Sequence, residues 1–212
     1  MRNWILASCL IVWASAAGAS PVDAGKRPEL FGSRTVFLIG DVDDKAAGQV
    51  IRDLNRFADS GKTAPVTLAI ASSGGDVSAA VAIQNAIRSF PVMVHTVCIG
   101  VCESSAALIL ASATGRRAAV PSSLIMVHGL RWYIQGQETD ELATTAKGFE
   151  TIQRLFIANA AAGTGLTPSA ITKLMQVRRY LSPEDALKEN LIDLIVEPSP
   201  NRFTTEAAGA RP

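Results

Sequence analysis

The sequence predicts an α/β domain built on a largely parallel sheet. Short apolar stretches alternate along most of the chain with longer amphipathic stretches of helical period. The short stretches are apolar throughout, which is typical of strands buried on both faces of a parallel sheet. With 212 residues, of which 48% are hydrophobic, the chain has the size of one domain and can bury a substantial core.

Strands that alternate with helices predict right-handed βαβ units. The first predicted helix ends at Gly61, because glycine is common just after a helix, and Gly100 is expected to turn the chain. In chain order the predicted elements are a strand at 35–40 (TVFLIG), a helix over 43–61, a strand at 66–71 (VTLAIA), a helix over 76–90, a strand at 92–97 (VMVHTV), a short helix over 104–113 and a strand at 124–128 (LIMVH).

The C-terminal part is predicted to be mainly helical. A helix is expected over about 139–162, where the sequence AGTG interrupts it. Thr167 and Ser182 each precede a proline, and a capping residue followed by proline is the pattern of a helix start. The sequence LIDLIVE, at 191–197, then closes the domain as a strand.

The N-terminus has the features of a secretory signal peptide. An arginine precedes an uncharged apolar segment, and small residues follow it, so that cleavage is expected after Ala19. The chain is then expected to be exported, periplasmic or secreted, with an uncleaved membrane anchor or a lipid anchor at Cys9 as alternatives. The predicted organisation is a signal peptide at 1–19, a flexible lead-in at 20–33, one domain at 34–197 and a disordered tail at 198–212.

The charge limits the kinds of partner to expect, and the cysteine content limits the possible disulfides. Twenty Lys and Arg residues against nineteen Asp and Glu give a net charge of +1, and no run of five like charges occurs, so a nucleic-acid partner is not expected. After signal cleavage two cysteines remain, Cys98 and Cys102. In an exported chain they form either a local disulfide or two free thiols.

Three stretches carry residues that suit acyl-transfer chemistry. The glycines of SSGGD, at 72–76, can expose backbone N–H groups at the edge of the sheet where ligands bind. In GVCESSAALIL, Ser104 or Ser105 lies at a helix start, where unpaired N–H groups stabilise negative charge. His128 ends a strand and can act as a general base, whereas His95 lies mid-strand and is interpreted as structural. Each stretch also has a purely structural interpretation, as a turn, an N-cap serine or a strand end.

Five segments, in this order, resemble those of the proteolytic subunit of the Clp protease, ClpP. The resemblance runs from about residue 35 to residue 197. SSGGDVSAA is similar to the family's Ser-Pro-Gly-Gly segment, GVCESSAALIL to its nucleophile segment, RRAAVPSSLIMVHG to its histidine segment, YIQGQETD to its Gln-Gly-Gln stretch, and RRYLSPEDALKENLID to its closing segment.

The resemblance implies a ClpP/crotonase-type βαβ superhelix and a serine peptidase that cleaves peptides or unfolded chains. Ser104 matches the nucleophile and His128 the general base, while Gly74 and Ser105 match the residues whose backbone N–H groups form the oxyanion hole. The family needs no metal and no organic cofactor, and its members assemble into rings, so a homo-oligomer is expected. An exported chain is not expected to meet the family's cytosolic ATPase partner.

The resemblance fails at the third catalytic position, where the family has an aspartate and this chain has Leu174. The acidic residues that can substitute for it from elsewhere are Asp140, Glu138 and Asp185. Glu103 stands where the family has alanine, and it either disfavours the alkoxide of Ser104 or simply faces solvent.

Four alternatives stay open at this point. Lys147 can serve as the base of a Ser-Lys dyad, as in signal-peptide-peptidase-like relatives of this fold, if it is desolvated. Cys102 can be the nucleophile in place of Ser104. A catalytically inert peptide-binding or assembly module would explain Leu174, and a crotonase-type acyl-CoA enzyme would share the fold.

Overall fold

Strands and helices alternate along the chain in a computed structural model of the protein, which describes residues 32–60, 63–129 and 139–196. The strands within these ranges are β1 (Thr35–Ile39), β2 (Val66–Ser72), β3 (Val94–Glu103), β4 (Arg117–Ala119), β5 (Leu124–Met126), β6 (Tyr180–Leu181) and β7 (Leu194–Ile195). The helices are α1 (Asp44–Asp59), α2 (Val77–Ser89), α3 (Ser105–Leu110), α4 (Thr139–Thr164), α5 (Pro168–Val177) and α6 (Pro183–Lys188).

The sheet is mostly parallel, which confirms the predicted α/β class. β1, β2, β3, β4 and β7 lie side by side in that order, and each neighbouring pair is parallel. β5 also pairs in parallel with β3, and β6 is antiparallel to β5. β3 divides the sheet, because Thr96–Cys98 pairs with β4 whereas Val101–Glu103 pairs with β5.

The main core lies between the sheet and the helices. Leu38 of β1, Ile70 of β2, Leu54 of α1 and Ile83 of α2 are all at most 1% exposed. Phe156 brings α4 against the same cluster and is fully buried. Burying a side chain of this size contributes about 1.5–3 kcal/mol, so this layer anchors the strands whose ends carry the candidate site.

The helix starts confirm the predicted capping residues. The hydroxyl of Thr167 accepts an N–H bond of 3.1 Å at the start of α5, and that of Ser182 accepts one of 3.2 Å at the start of α6. Asp76 caps α2 in the same way at 2.7 Å. These bonds satisfy N–H groups that a helix cannot pair internally.

Some strand predictions were wrong in detail. β3 does not turn at Gly100 but continues through it to Glu103, because a bulge against β2 takes up extra residues. The sequence pattern did not predict β4 and β6, which have only three and two residues and exist through pairing with distant strands.

Several predictions lie outside the described residues: the signal peptide, most of the lead-in, Gly61 and the tail. In the part of the chain that is described, no helix combines the length and the hydropathy needed to cross a membrane.

Helices α3 and α4 approach closely at Gly163. A Cβ there would lie 2.2 Å from the carbonyl oxygen of Ala111 and 2.8 Å from the Cα of Ser112. Because both are backbone atoms, Gly163→Ala is expected to force the helices apart and lower the free energy of unfolding by about 1–3 kcal/mol.

Gly148, also on α4, is the matched control for this substitution. A Cβ at Gly148 would meet no neighbouring atom within 4 Å. Gly148→Ala is therefore expected to stabilise the protein by about 0.5–1 kcal/mol, because alanine favours helix. Thermal unfolding followed by circular dichroism measures both variants, and Tm shifts of the same sign would contradict the close approach.

Candidate active site

Ser104 lies between β3 and α3 in a strained backbone conformation. Its φ of 55° and ψ of −123° fall outside the usual regions for a residue with a side chain. Its N–H donates to the carbonyl of Met126 on β5 at 2.8 Å. Ser104 occupies the N-cap position of α3, as the capping interpretation predicted, but its hydroxyl makes no capping hydrogen bond. A strained serine between a strand and a helix is typical of a nucleophile elbow, which exposes the hydroxyl.

Helix α3 directs its N-terminus toward the same place. Ser105 is its first residue, and the unpaired N–H groups of a first helical turn carry partial positive charge. The helix is held by the buried side-chain amide of Gln84 on α2, which donates to the Leu108 carbonyl at 3.1 Å and to the Ser112 hydroxyl at 2.7 Å. The N–H groups of the first turn are therefore fixed in position beside Ser104.

The loop after β2 contacts the turn at Ser104. Gly74 has a φ of +93°, and a Cβ here would lie 2.8 Å from both the Cβ of Ser104 and the carbonyl oxygen of Glu103. Glycine permits this approach because it has no Cβ. The N–H of Gly74, which the resemblance assigns to the oxyanion hole, donates to the Ser72 hydroxyl at 3.0 Å.

Gly75 supplies a second N–H in this loop. Its carbonyl accepts from the Ser105 hydroxyl at 3.4 Å, so the residue contacts the start of α3. Its N–H donates to no residue in the described ranges. Gly75 is thus a further candidate oxyanion donor, and the only sequence signal for it was that it follows another glycine.

His128 reaches the site from the neighbouring strand. β5 pairs with β3 so that Met126 lies opposite Glu103, and the Ser104 N–H continues this pairing. His128 follows Met126 by two residues and so lies just beyond the end of β5. The end of β5, two residues before His128, is thus paired with the strand that leads into Ser104.

The His128 ring contacts the backbone rather than a carboxylate. Its Nδ1 lies 2.5 Å from the Gly129 carbonyl oxygen. Because a carbonyl can only accept, this contact requires Nδ1 to be the donor, and in the neutral imidazole that leaves Nε2 as the acceptor. No hydrogen bond joins the Ser104 hydroxyl to this ring, although both residues are described. Catalytic hydrogen bonds are often long before substrate binds.

Comparison with known proteins decides the family. Residues 23–199 match the Clp protease family. Over 172 residues the chain is 33% identical to the "ATP-dependent Clp protease proteolytic subunit 3" of Nocardia farcinica (strain IFM 10152), which covers 80% of this chain and 77% of that protein. The chain belongs to the Clp protease family. The predicted ClpP-type fold class is therefore confirmed, and the family assignment supports a serine-type protease, that is, a hydrolase, in general terms.

Leu174 stands at the position where the resemblance expects the third catalytic residue, an aspartate. Leu174 lies on α5, half-buried and packed against the core, and an apolar side chain cannot orient an imidazole. Of the predicted substitutes, Asp185 accepts a hydrogen bond from Lys188 at 3.2 Å, Asp140 lies in the first turn of α4, and Glu138 lies outside the described residues. Among the described residues, the group that hydrogen bonds to Nδ1 of His128 is the Gly129 carbonyl, not a carboxylate.

The two alternative catalytic side chains are poorly placed for the task. Lys147 is exposed on α4, whereas a lysine acts as a base where burial removes it from water. Cys102 is bonded to Cys98 and so has no thiol with which to attack. Among the described residues there is also no group of three or more His, Cys, Asp or Glu side chains that could hold a metal ion.

Glu103 is half-buried immediately before Ser104, and its carboxylate hydrogen bonds the phenol of Tyr180 on β6. Met126 lies between them, paired with Glu103 on one side and with Tyr180 on the other. The hydrogen bond and the negative charge of the carboxylate raise the pKa of Tyr180 above its usual value, and Arg178 opposes part of this shift. Glu103 therefore does not simply face solvent.

Glu103→Gln is expected to lower the pKa of Tyr180, because a neutral amide no longer repels the phenolate. Titration of the phenolate absorbance measures this, since the chain has only two tyrosines, Tyr133 and Tyr180. Tyr180→Phe is the control and leaves the Tyr133 signal alone. An unchanged titration curve in Glu103→Gln would contradict the contact.

Proposed function

We propose that the chain is an exported serine peptidase in which Ser104 attacks the peptide carbonyl and His128 acts as the general base. The observation that carries the proposal is the strained Ser104, with its hydroxyl not used for capping, bonded through its N–H to the end of β5 two residues before His128. Membership of the Clp protease family supports the same chemistry. Export, to a periplasm or out of the cell, is supported by the apolar N-terminal segment.

The first half-reaction forms an acyl-enzyme. Nε2 of His128 takes the hydroxyl proton of Ser104 while Oγ bonds to the carbonyl carbon. The N–H of Ser105 and that of Gly74 or Gly75 stabilise the negative oxygen. His128 then gives the proton to the leaving amine as the C–N bond breaks. The Gly75 N–H can serve directly, whereas the Gly74 N–H must first release its internal acceptor.

The second half-reaction releases the acid and restores the enzyme. His128 takes a proton from water, the resulting hydroxide attacks the ester, and the proton returns to Ser104 as the C–O bond breaks. In each half the imidazolium has no carboxylate partner among the described residues, and Leu174 stands at the expected position of one. The Gly129 carbonyl fixes the tautomer but carries no full charge, so turnover is expected to fall below that of members with a complete triad, by up to about 10⁴-fold.

The proposed substrates are short peptides or chains that are already unfolded, because an exported enzyme meets no ATP-driven unfoldase. A homo-oligomer is also proposed. The relative above is named as a subunit, and α4 exposes Leu142 and Leu155, at 42% and 51%. A monomer mass by light scattering would contradict this assembly.

A catalytically inert binding module is the second candidate function. Leu174 favours it. The described residues Ser104 and His128 also form no hydrogen bond with each other, which favours it too. Such a module would keep the fold and the strained turn and would bind peptides without cleaving them.

Hydrolysis of fluorescently labelled casein without ATP tests the proposal. The wild-type protein is expected to release labelled peptides, and Ser104→Ala is expected to release none above background. Equal rates in the two proteins would contradict the assignment of the nucleophile. Casein that binds the wild-type protein and stays intact would favour the inert module.

A further inference from the structure

A disulfide lies in the strand that carries the nucleophile. Cys98 and Cys102, both on β3, are bonded to each other and fully buried. Their Cα atoms are 6.0 Å apart, whereas four residues of regular strand span about 13 Å. The strand therefore bends between them.

The strand pairing shows where this bend lies. Ile70 and Ser72 of β2 lie opposite Cys98 and Cys102, so that one residue of β2 faces three residues of β3. The two extra residues form a β-bulge. The disulfide joins the two ends of the bulge and thereby fixes its size.

The bulge connects two parts of β3 that have different partners. On the N-terminal side of the bulge, Thr96–Cys98 pairs with β4. At its C-terminal end, Val101–Glu103 pairs with β5. The second part leads directly into Ser104 and sets its position relative to β5, which His128 follows by two residues. A change in the bulge therefore moves the nucleophile with respect to its base.

Reduction changes the space that the two sulfurs need. One thiol of a dithiol reductant attacks a sulfur, its second thiol then releases the other, and two cysteine thiols form as the reductant becomes a disulfide. Bonded sulfurs are about 2.05 Å apart, and two thiols require a larger, non-bonded separation. Both cysteines belong to the close-packed core cluster, so the sulfurs can separate only if the bulge or its neighbours move.

We propose that the Cys98–Cys102 disulfide is a positioning device, which fixes the bulge of β3 so that Ser104 reacts fast only in the oxidised protein. The inference rests on the proposed function, because it concerns the regulation of that same site. It would restrict activity to an oxidising compartment, where such disulfides persist.

The test compares kcat and KM on a fluorogenic peptide for oxidised and dithiothreitol-reduced protein, with free thiols counted by alkylation and mass spectrometry. A misplacement of about 1 Å can cost about 10²-fold in rate. Reduction is expected to lower kcat by roughly that factor with KM nearly unchanged, and reoxidation is expected to restore it. Residues 20–212 contain no third cysteine, so the effect is assigned to this pair. An unchanged kcat in fully reduced protein would overturn the proposal.

The double variant Cys98→Ala/Cys102→Ala provides the matched control. It is expected to have the low kcat with and without dithiothreitol, at a temperature where circular dichroism shows it folded. If the disulfide only stabilises the fold, its removal in this variant would lower Tm and leave kcat unchanged, which would also overturn the proposal. If the variant does not fold, the wild-type comparison decides.

Failure of the inference differs visibly from failure of the proposed function. Equal activity of the oxidised and reduced proteins removes only the positioning role of the disulfide. Oxidised protein that neither hydrolyses the peptide nor reacts with a fluorophosphonate removes the peptidase, and the positioning role with it.

Discussion

Gly74→Ala is expected to lower kcat/KM for a peptide substrate by at least about 10²-fold, because it displaces the nucleophile. The new Cβ would lie 2.8 Å from the Cβ of Ser104, 2.8 Å from the Glu103 carbonyl oxygen and 3.1 Å from the Ser105 nitrogen. Backbone atoms make up two of these three contacts, so the turn as a whole must shift. The shift would move the Ser104 hydroxyl and the Ser105 N–H together, and a hydrolysis assay measures the loss.

Gly40→Ala separates this steric effect from the cost of backbone strain. Gly40 has a φ of +87°, close to the +93° of Gly74, but a Cβ there would meet no atom within 4 Å. Each substitution is expected to cost about 1–2 kcal/mol of stability, because alanine disfavours the left-handed conformation. Urea denaturation is expected to show that both variants are destabilised, Gly74→Ala the more because of its clashes, whereas only Gly74→Ala loses activity. Equal loss of activity in both variants would contradict the contact between Gly74 and the turn.

His128→Ala is expected to lower kcat by about 10²–10⁴-fold, which is the usual contribution of a general base. Lys147→Ala is expected to leave kcat unchanged, because Lys147 is exposed on α4. Steady-state hydrolysis of a fluorogenic peptide measures both variants, with circular dichroism as the check on folding. The reverse pattern, in which Lys147→Ala is inactive and His128→Ala is active, would assign the base to the lysine.

Local patterns predicted the elements that position the site. β1, β2, α1 and α2 were predictable because apolar runs, helical periodicity and capping residues such as Asp76 act within a few neighbouring residues. β4 has three residues and becomes a strand only through its pairing with β3 and β7. Such pairing depends on residues far apart in sequence, which a local pattern cannot express.

The same distinction explains the prediction at Gly100. Glycine is a common turn residue, and the local sequence therefore predicted a turn. β3 instead runs through Gly100, because one residue of β2 faces three residues of β3 and the disulfide joins the two ends of the bulge. Neither the pairing register nor the bond between Cys98 and Cys102 can be read from the neighbours of Gly100.

At the site, the sequence selected Ser104 and His128 but could not determine their state. A serine before a helix is compatible with capping and with catalysis, and only the positive φ of Ser104 and its unused hydroxyl separate the two. The resemblance exposed the missing aspartate at Leu174. The contact that replaces it, between His128 and the Gly129 carbonyl, depends on side-chain geometry that no residue spacing encodes.

Reaction of the oxidised protein with a fluorophosphonate, followed by mass-spectrometric mapping of the adduct, tests the central claim most directly. The reagent phosphonylates a serine only where a base and oxyanion donors activate it. The account predicts a single adduct on Ser104, which is lost in Ser104→Ala and strongly slowed in His128→Ala. An adduct on another residue, or no adduct on the folded wild-type protein across neutral and alkaline pH, would contradict it.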